Sequence, residues 1–396
     1  MLDILLFLLG GTALGLGLGL LPGIHPNMII LAVPLIAALD LGHAQLIVFI
    51  VSLGIANTFA EFVPSILLSA ADSESGLATL PGQRLLAKGK GLDAVRLAIT
   101  GGLVATALCA LLLPILALII PPIYTASRGA IWLVLLAFVA LMLATESPKY
   151  KILWATVCFA LAGFVGLVAF GLPIDRALVL FPIFTGLFAM PHLLLQIRGA
   201  VRIPKQAKTS ESPALRSSLK PAALGAAGGV LSGLLPGIGS AEIASVLTVS
   251  KDDRSFLTTM GGLAASNIVI SFLALWLISN PRSGVAVALD QLITVDAKAF
   301  LLIAFSALVA AALAAPLTLT LARRVLDRLQ KINYVRLSKA IFLFLVFAVG
   351  LATGFLGLML AATCAGLGLF VNLLGIKRGV LMGVLILPTV LFFLGL

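Results

Sequence analysis

The chain has 396 residues, of which 61% are hydrophobic and 10% are charged, and its formal net charge is +11. Soluble globular proteins contain about 25% charged residues, so this composition excludes an ordinary soluble fold. It predicts an all-α polytopic membrane protein, because the apolar runs are about 20 residues long and lack the alternation of a membrane barrel. The basic residues lie between these runs, which indicates membrane topology and not binding to nucleic acid.

The first apolar segment is interrupted by LLPGIHPNMII, residues 20–30. Every backbone amide in a bilayer needs a partner, so a Pro-Gly break is tolerated only where it lines a cavity or is buried in protein. We predict a re-entrant hairpin here, whose second arm offers free N–H groups and a positive helix end to an anion. The alternative is a kink in a packed helix. His25 either contacts the anion or caps the tip.

The apolar segment over residues 53–68 carries polar side chains within its span. Asn57 and Thr58 provide hard oxygen atoms that suit Na⁺ or a hydrogen bond to a carboxylate. Side chains of this kind also join helices inside membranes. Glu61 lies one helical turn after Asn57, and an ionisable group within a span predicts a functional role. The alternative for Glu61 is a neutral carboxylic acid that is hydrogen-bonded to backbone.

The interruption recurs 214 residues later as LLPGIGSAEIA, residues 234–244. A second segment with polar side chains follows over residues 262–278, with Ser266 and Asn267 in the place of the first polar pair. Glu242 follows the second break, and it either binds a proton or cation or is a neutral buried acid. The chain is therefore a duplicated unit. We predict a first transmembrane repeat over 1–201, a cytoplasmic linker over 202–220 and a second transmembrane repeat over 221–396.

The positions of Lys and Arg indicate how the two copies are oriented, because basic residues concentrate in cytoplasmic loops. If each interrupted segment returns to its own side and five crossings follow, 22 of the 26 Lys and Arg lie in the cytoplasm. If the second interrupted segment crosses the membrane completely, only 14 do. In the first arrangement the two copies are inverted, and both termini lie on the extracytoplasmic side of the cell membrane. Residues 340–374 then form two short crossings. The cytoplasmic segments of this arrangement are 71–96, 146–151, 198–220, 251–254, 323–339 and 375–378.

Broken segments at matching positions of inverted halves indicate the central site of a transporter. The predicted substrate-binding residues are those of the two tips: Pro22, Gly23, Ile24, His25, Pro26, Asn27, Pro236, Gly237, Ile238, Gly239 and Ser240. The predicted ion-coupling or substrate residues are Asn57, Thr58, Glu61, Glu242, Ser266 and Asn267. We expect Na⁺ or H⁺ as the coupling ion and neither a cofactor nor a structural metal, because the sequence offers no metal-ligand spacing.

The chain resembles the large membrane subunit of tripartite tricarboxylate transporters in its LLPGI tips, in the polar helix after each tip and in the number of spans. The resemblance covers nearly the whole chain. It implies uptake of carboxylates, often citrate-like, driven by a cation gradient, with a small membrane subunit and an extracytoplasmic solute-binding protein as partners. The family's tip residues fall by position on Pro22, Gly23, Pro26, Asn27, Pro236, Gly237, Gly239 and Ser240.

The first tip differs from the commoner form of that family. A glycine and a small hydroxyl residue usually stand in place of His25 and Asn27. The HPN form of this chain resembles an archaeal branch of the family.

Three classes of function remain open from the sequence. The first is a cation-coupled permease, in which a small carboxylate binds between the two tips and the inverted halves alternate access to it. The second is a flippase for a phosphate-bearing lipid carrier, which would show a groove open to lipid. The third is an intramembrane enzyme, which needs paired catalytic acids, a Ser–His pair or a metal cluster at membrane depth, and the sequence shows no such constellation. Both transport functions are compatible with a monomer or a homo-oligomer.

Overall fold

The computed structural model describes residues 2–21, 33, 36, 41–68, 79–175, 178–199, 204–207, 215–234, 243, 252–329 and 333–395. Within these residues every regular element is a helix. Among them, eight helices are long and apolar enough to cross a membrane, and two shorter apolar helices run over Ile131–Ala144 and Arg378–Leu394. The prediction of an all-α polytopic membrane protein is thereby confirmed.

The described part of the first half forms eight helices. They are α1 (Leu2–Gly19), α2 (His43–Ala60), α3 (Thr79–Ala87), α4 (Gly91–Ser127), α5 (Ile131–Ala144), α6 (Tyr150–Phe170), α7 (Leu180–Phe184) and α8 (Met190–Gly199). Pro64 lacks the backbone N–H that would continue an α-helix, and the chain widens there into a π-helical segment, Pro64–Leu68. A second π-helical segment, Thr185–Ala189, joins α7 to α8, so that Leu180–Arg198 forms one span.

The described part of the second half forms six helices. They are α9 (Leu215–Leu234), α10 (Asp253–Ile278), α11 (Gly284–Leu292), α12 (Ala297–Leu329), α13 (Tyr334–Leu374) and α14 (Gly383–Leu394). Asp252 caps α10 by accepting hydrogen bonds from the N–H groups of Arg254 and Ser255. Burial alone would raise the pKa of the Asp252 carboxyl, but the hydrogen bonds from Ser255 and Arg254 outweigh it, and the pKa lies below its ordinary value.

Helix α13 consists of two arms that meet at Gly354. This glycine has φ +65° and ψ −161°, a conformation essentially confined to glycine. A Cβ built on Gly350 would lie 3.3 Å from Cδ1 of Leu358, although eight residues of a straight helix span about 12 Å. The helix therefore turns sharply at Gly354, and a break of this kind is what two short crossings over residues 340–374 require.

Helix α1 packs against α2 through glycines spaced four residues apart. A Cβ on Gly11 would collide with the carbonyl oxygen of Phe49, and one on Gly19 would lie 2.7 Å from that of Asn57. Gly15 makes the same kind of contact midway between them. Such glycines allow the backbones of two membrane helices to approach closely. Because residue numbers rise together along both helices, α1 and α2 run in the same direction.

Helix α9 packs against α10 in the same way. A Cβ on Gly225 would lie 2.6 Å from the carbonyl oxygen of Thr259, and one on Gly233 would lie 2.5 Å from Cγ2 of Ile270. With Gly229 between them, these glycines come 214 residues after their counterparts on α1. Helices α9 and α10 therefore also run in the same direction, and a packed pair of the same kind occurs in both halves of the chain.

Helix α3 connects the end of the first polar helix with the start of the second. Gln83 Nε2 donates a hydrogen bond to the carbonyl oxygen of Ile66, 2.6 Å away, in the π-helical segment after α2. Arg84 forms a bidentate ion pair with Asp253, the first residue of α10. The Asp253 carboxylate raises the pKa of Arg84 above its ordinary value by accepting these hydrogen bonds. Helix α10 therefore begins at the level where α2 and its extension end.

Helices α2 and α10 run in opposite directions. Thr58, eight residues before Ile66, lines a narrow crevice together with Gly261, which lies eight residues after Asp253. Moving back along α2 thus corresponds to moving forward along α10. Since α1 is parallel to α2 and α9 is parallel to α10, the α1–α2 pair is antiparallel to the α9–α10 pair.

The two polar helices form the centre of the described molecule. In the most apolar stretch of His43–Leu68, 94% of the residues are buried, and in that of Asp253–Ile278 the share is 83%. In the corresponding stretches of Gly91–Ala126 and Val335–Leu374, only 22% of the residues are buried. The less buried helices expose leucine and phenylalanine side chains, which is the pattern of a surface that faces lipid. Polar side chains within α2 and α10 are therefore directed into protein.

The two halves of the chain interleave. Helix α2 packs on α12 of the other half, and α10 packs on α4, where a Cβ on Gly261 would collide with the carbonyl oxygen of Ala98. Helix α6 packs on α14, and Gly166 meets the carbonyl oxygen of Val384 there. Helix α8 and the π-helical segment before it pack on α13. Buried residues from both halves form one large hydrophobic cluster, and a second, smaller cluster lies between α8 and α13.

Candidate functional site

Much of the predicted site lies outside the described residues. This holds for both tips and for the second acid, namely Pro22, Gly23, Ile24, His25, Pro26, Asn27, Pro236, Gly237, Ile238, Gly239, Ser240 and Glu242. The described part of the predicted site consists of Asn57, Thr58, Glu61, Ser266 and Asn267. These residues lie on α2, at its end and on α10, the two most buried long helices.

The two asparagines occupy matching places on the antiparallel central helices. Asn57 and Asn267 each follow the first residue of their helix by 14 positions, which is about 21 Å of helix at 1.5 Å per residue. If each helix begins at the membrane surface, this position lies inside a hydrocarbon layer about 30 Å thick. Thr58 and Ala265 line the same crevice, so the polar stretch of one half is a neighbour of the polar stretch of the other.

Asn57 is 1% exposed, and its side-chain amide makes no hydrogen bond with the described residues. Its backbone carbonyl accepts the N–H of Glu61 at 2.9 Å, as expected for a helix. A buried amide that lacks a partner destabilises a protein by about 1–3 kcal/mol. The side chain of Asn57 thus carries both a donor and an acceptor that no described residue engages.

Asn267 is engaged by the helix beside it. Ser232 Oγ on α9 donates a hydrogen bond to Asn267 Oδ1, 3.1 Å away. Ser266 Oγ donates to the carbonyl oxygen of Gly262 at 2.6 Å and lies 3.2 Å from that of Gly225 on α9. The second polar pair therefore joins α9 to α10, which is the structural role that the sequence left open for it.

Thr58 and Glu61 complete the first polar stretch. Thr58 Oγ1 donates a hydrogen bond to the carbonyl oxygen of Gly54, one turn earlier in α2. Glu61 is 4% exposed and ends α2, just before the chain widens into the π-helical segment. Its N–H bond to the carbonyl of Asn57 places the two residues one turn apart, as their spacing predicted.

Ser232 contacts the predicted site residue Asn267, and it was not identified from the sequence. It stands in the glycine-rich run over residues 225–235, where small residues indicate close helix packing. The hydroxyl in that run was the available signal. Its partner depends on how α9 and α10 are rotated against each other, and periodicity alone does not fix that rotation.

A model of the tripartite tricarboxylate transporter TctA family matches residues 5–383. The chain belongs to this family. An uncharacterised protein of the archaeon Methanocaldococcus jannaschii is 30% identical over 403 residues, which cover 98% of this chain and 99% of that protein. No solved structure matches the chain.

Membership of the TctA family makes the chain a multi-pass membrane component of a tricarboxylate transporter. A tripartite system also implies partner subunits, including a substrate-binding protein. The family resemblance seen in the two LLPGI tips is thereby confirmed, as is the prediction of a role in transport. Among the described residues, no group of three or more His, Cys, Asp or Glu side chains is placed to hold a metal ion.

Proposed function

We propose that this TctA-family chain is a cation-coupled permease for small di- and tricarboxylate anions. The anion binds at mid-membrane beside Asn57 and between the two predicted tips, and two inverted repeats expose it alternately to each side. The observation that carries the proposal is the buried amide of Asn57, which has no partner among the described residues although it lies on the most buried long helix. In a family of tricarboxylate transporters, an amide left available at this depth suits a carboxylate.

The directions of the helices support two inverted repeats over 1–201 and 221–396, joined by a linker over 202–220. The α1–α2 pair is antiparallel to the α9–α10 pair. A re-entrant hairpin accounts for the parallel course of α1 and α2, because the chain has to return to the starting side of α1 before α2 begins. The same holds for α9 and α10. Hairpins of opposite direction would bring the two Pro-Gly tips together near the centre of the bilayer.

Contacts between loops support the proposed topology. Gln206 in the linker donates a hydrogen bond to the carbonyl oxygen of Leu86, 2.9 Å away. The N–H of Lys377 donates to Glu146 Oε1, also at 2.9 Å. Each of these bonds joins two segments that the distribution of basic residues assigns to the cytoplasm. In the proposed topology both termini lie outside the cytoplasm, and the protein is in the cell membrane.

A coupling cation accounts for the binding of a multiply charged anion at this depth. Helix α2 contains no Lys or Arg, and α10 contains only Arg254 in its first turn. Helix ends and amide donors stabilise an anion without neutralising it. In the proposed mechanism Na⁺ or H⁺ binds with the substrate near Asn57 and Glu61, because amide and carboxylate oxygens are ligands for Na⁺ and a carboxylate accepts a proton.

Uptake into proteoliposomes tests the proposal. The chain is reconstituted with its partner subunits and solute-binding protein, and labelled di- and tricarboxylates are offered under Na⁺ and proton gradients that are imposed separately. We expect accumulation that requires one of the gradients and falls at least tenfold in Asn57→Ala. Asn333→Ala is the matched control, since Asn333 is exposed and caps α13. Gradient-independent uptake, no uptake, or translocation of a labelled lipid carrier instead would contradict the proposal.

A further inference from the structure

A second buried polar cluster lies where α8, the end of α13 and the turn before α14 meet. Arg378 is 4% exposed and His192 is 9% exposed. Arg378 Nε donates a hydrogen bond to Asn372 Oδ1 at 2.8 Å, and Arg378 Nη2 lies 2.9 Å from His192 Nδ1. Asn372 is itself oriented by a bond from Nδ2 to the carbonyl oxygen of Gly368 at 2.7 Å. Residues of α8 and α13 thus converge on the guanidinium group of Arg378.

Among the described residues, this cluster holds a positive charge that is not hydrogen-bonded to a carboxylate. Arginine keeps its charge in proteins, and both side-chain partners of Arg378 are neutral acceptors. Glu146 on the adjoining loop accepts the backbone N–H of Lys377 instead, and no ion pair joins Arg378 to a carboxylate among the described residues. Removing a charge from water is costly, so a buried charge normally has a counter-charge.

The polar atoms that the cluster leaves unused are donors. Arginine can only donate, so His192 Nδ1 accepts from it and the proton of the neutral ring lies on Nε2. Arg378 Nη1 and His192 Nε2 are buried, and neither makes a hydrogen bond with the described residues. Unused N–H groups together with a net positive charge suit an anion and repel a cation.

We infer that Arg378 and His192 form a second anion site, which binds an oxyanion, either a carboxylate or a phosphate. The site is separate from Asn57, because it is built from α8, α13 and the turn before α14 and not from α2 or α10. Two sources supply this chemistry. One is a carboxylate in the cytoplasm, the released substrate, and this source rests on the proposed function. The other is the phosphate of an anionic lipid headgroup.

Binding of citrate and inorganic phosphate to the purified chain in neutral-lipid nanodiscs tests the inference. Calorimetry is done in the Asn57→Ala background, which removes the proposed central site. We expect binding to persist there and to weaken at least tenfold on adding Arg378→Gln, and several-fold on adding His192→Phe. Arg84→Gln is the matched control, because Arg84 is already paired with Asp253. Variants are compared only where they elute as a single species. Because Arg378→Gln and His192→Phe are independent substitutions, the test does not depend on the correct folding of one variant alone.

Nanodiscs that contain an anionic phospholipid distinguish the two sources. A lipid phosphate in the site raises the melting temperature of the wild-type chain but not of Arg378→Gln, and it competes with citrate. If neither citrate, phosphate nor anionic lipid has an effect that depends on Arg378, the inference is overturned. Failure of the proposed central site has a different signature, since Asn57→Ala would then transport normally whatever Arg378 binds.

Discussion

Ser232 on α9 donates a hydrogen bond to Asn267 on α10, across 3.1 Å. The residue 214 positions earlier on α1 is Leu18, which has no hydroxyl to offer Asn57. Equivalent asparagines in the two halves therefore have different surroundings: one is held by the neighbouring helix, and the amide of the other makes no hydrogen bond with the described residues. A duplicated unit can in this way present unlike groups to a substrate that is not itself symmetric.

Alanine substitution of the two asparagines should distinguish a residue that binds the substrate from one that stabilises the fold. We expect Asn57→Ala to reduce carboxylate uptake at least tenfold while leaving stability unchanged or raised by about 1 kcal/mol, because it removes a buried amide that has no partner. Asn267→Ala loses the bond from Ser232 and should cost about 0.5–1.5 kcal/mol. Thermal unfolding of the purified variants and uptake into proteoliposomes provide the two measurements. The opposite ranking in stability would show that Asn57 is the packing residue.

The glycines of α1 provide a matched pair for testing the close approach of α1 and α2. A Cβ on Gly15 would collide with the carbonyl oxygen of Leu53, whereas one on Gly17 meets no atom within 4 Å. Gly15→Ala should therefore destabilise the protein by about 1–3 kcal/mol. Gly17→Ala should be neutral or stabilise it by up to about 1 kcal/mol, as alanine does within a helix. Equal melting temperatures for the two variants would mean that the helices do not touch along this face.

The turn within α13 depends on a conformation that only glycine adopts readily. Gly354→Ala should cost about 1–3 kcal/mol, because φ is +65° there. Gly366→Ala lies on the same helix, meets no atom within 4 Å and is the control. Thermal unfolding in detergent compares the two. A Gly354→Ala variant as stable as its control would indicate a continuous helix in place of two arms.

Cysteine accessibility in intact cells tests the opposite directions of the central helices. His43 and Lys298 lie at the starts of α2 and α12 and share a cavity of about 350 Å³, and both are exposed. In a background without native cysteines, an impermeant maleimide should label His43→Cys and Lys298→Cys from outside. Lys88→Cys, just after α3, should react only once the membrane is opened. Labelling of all three from one side would be incompatible with inverted repeats.

Composition and spacing predicted the features that depend on neighbours along the chain. The low charge predicted membrane helices, and the recurrence of a polar segment after each tip placed Asn267 opposite Asn57. The four-residue spacing of glycines on α1 and α9 is a further pattern visible in the sequence, and it is typical of closely packed membrane helices. These features follow from helix geometry, which repeats locally, and so a single sequence contains them.

Features that depend on the rotation of distant helices could not be predicted from the sequence. Arg378 was counted with the loop charges, because a tally of basic residues does not distinguish a solvated arginine from one that is 4% exposed. The break in α13 falls on Gly354 and not on Gly350 or Gly357, although all three are glycines in one apolar run. The donor to Asn267 depended likewise on which face of α9 meets α10.

The interleaved packing limits what can move during a transport cycle. Helix α2 packs on α12, and α10 packs on α4, so each tightly packed group contains helices from both halves of the chain. A transport motion in which one half rotated as a rigid body relative to the other half would have to separate these packed helices. If the proposed alternating access involves a rigid body, that body contains helices from both halves of the chain. Either half produced by itself would lack the helices of the other half that pack on its central helix.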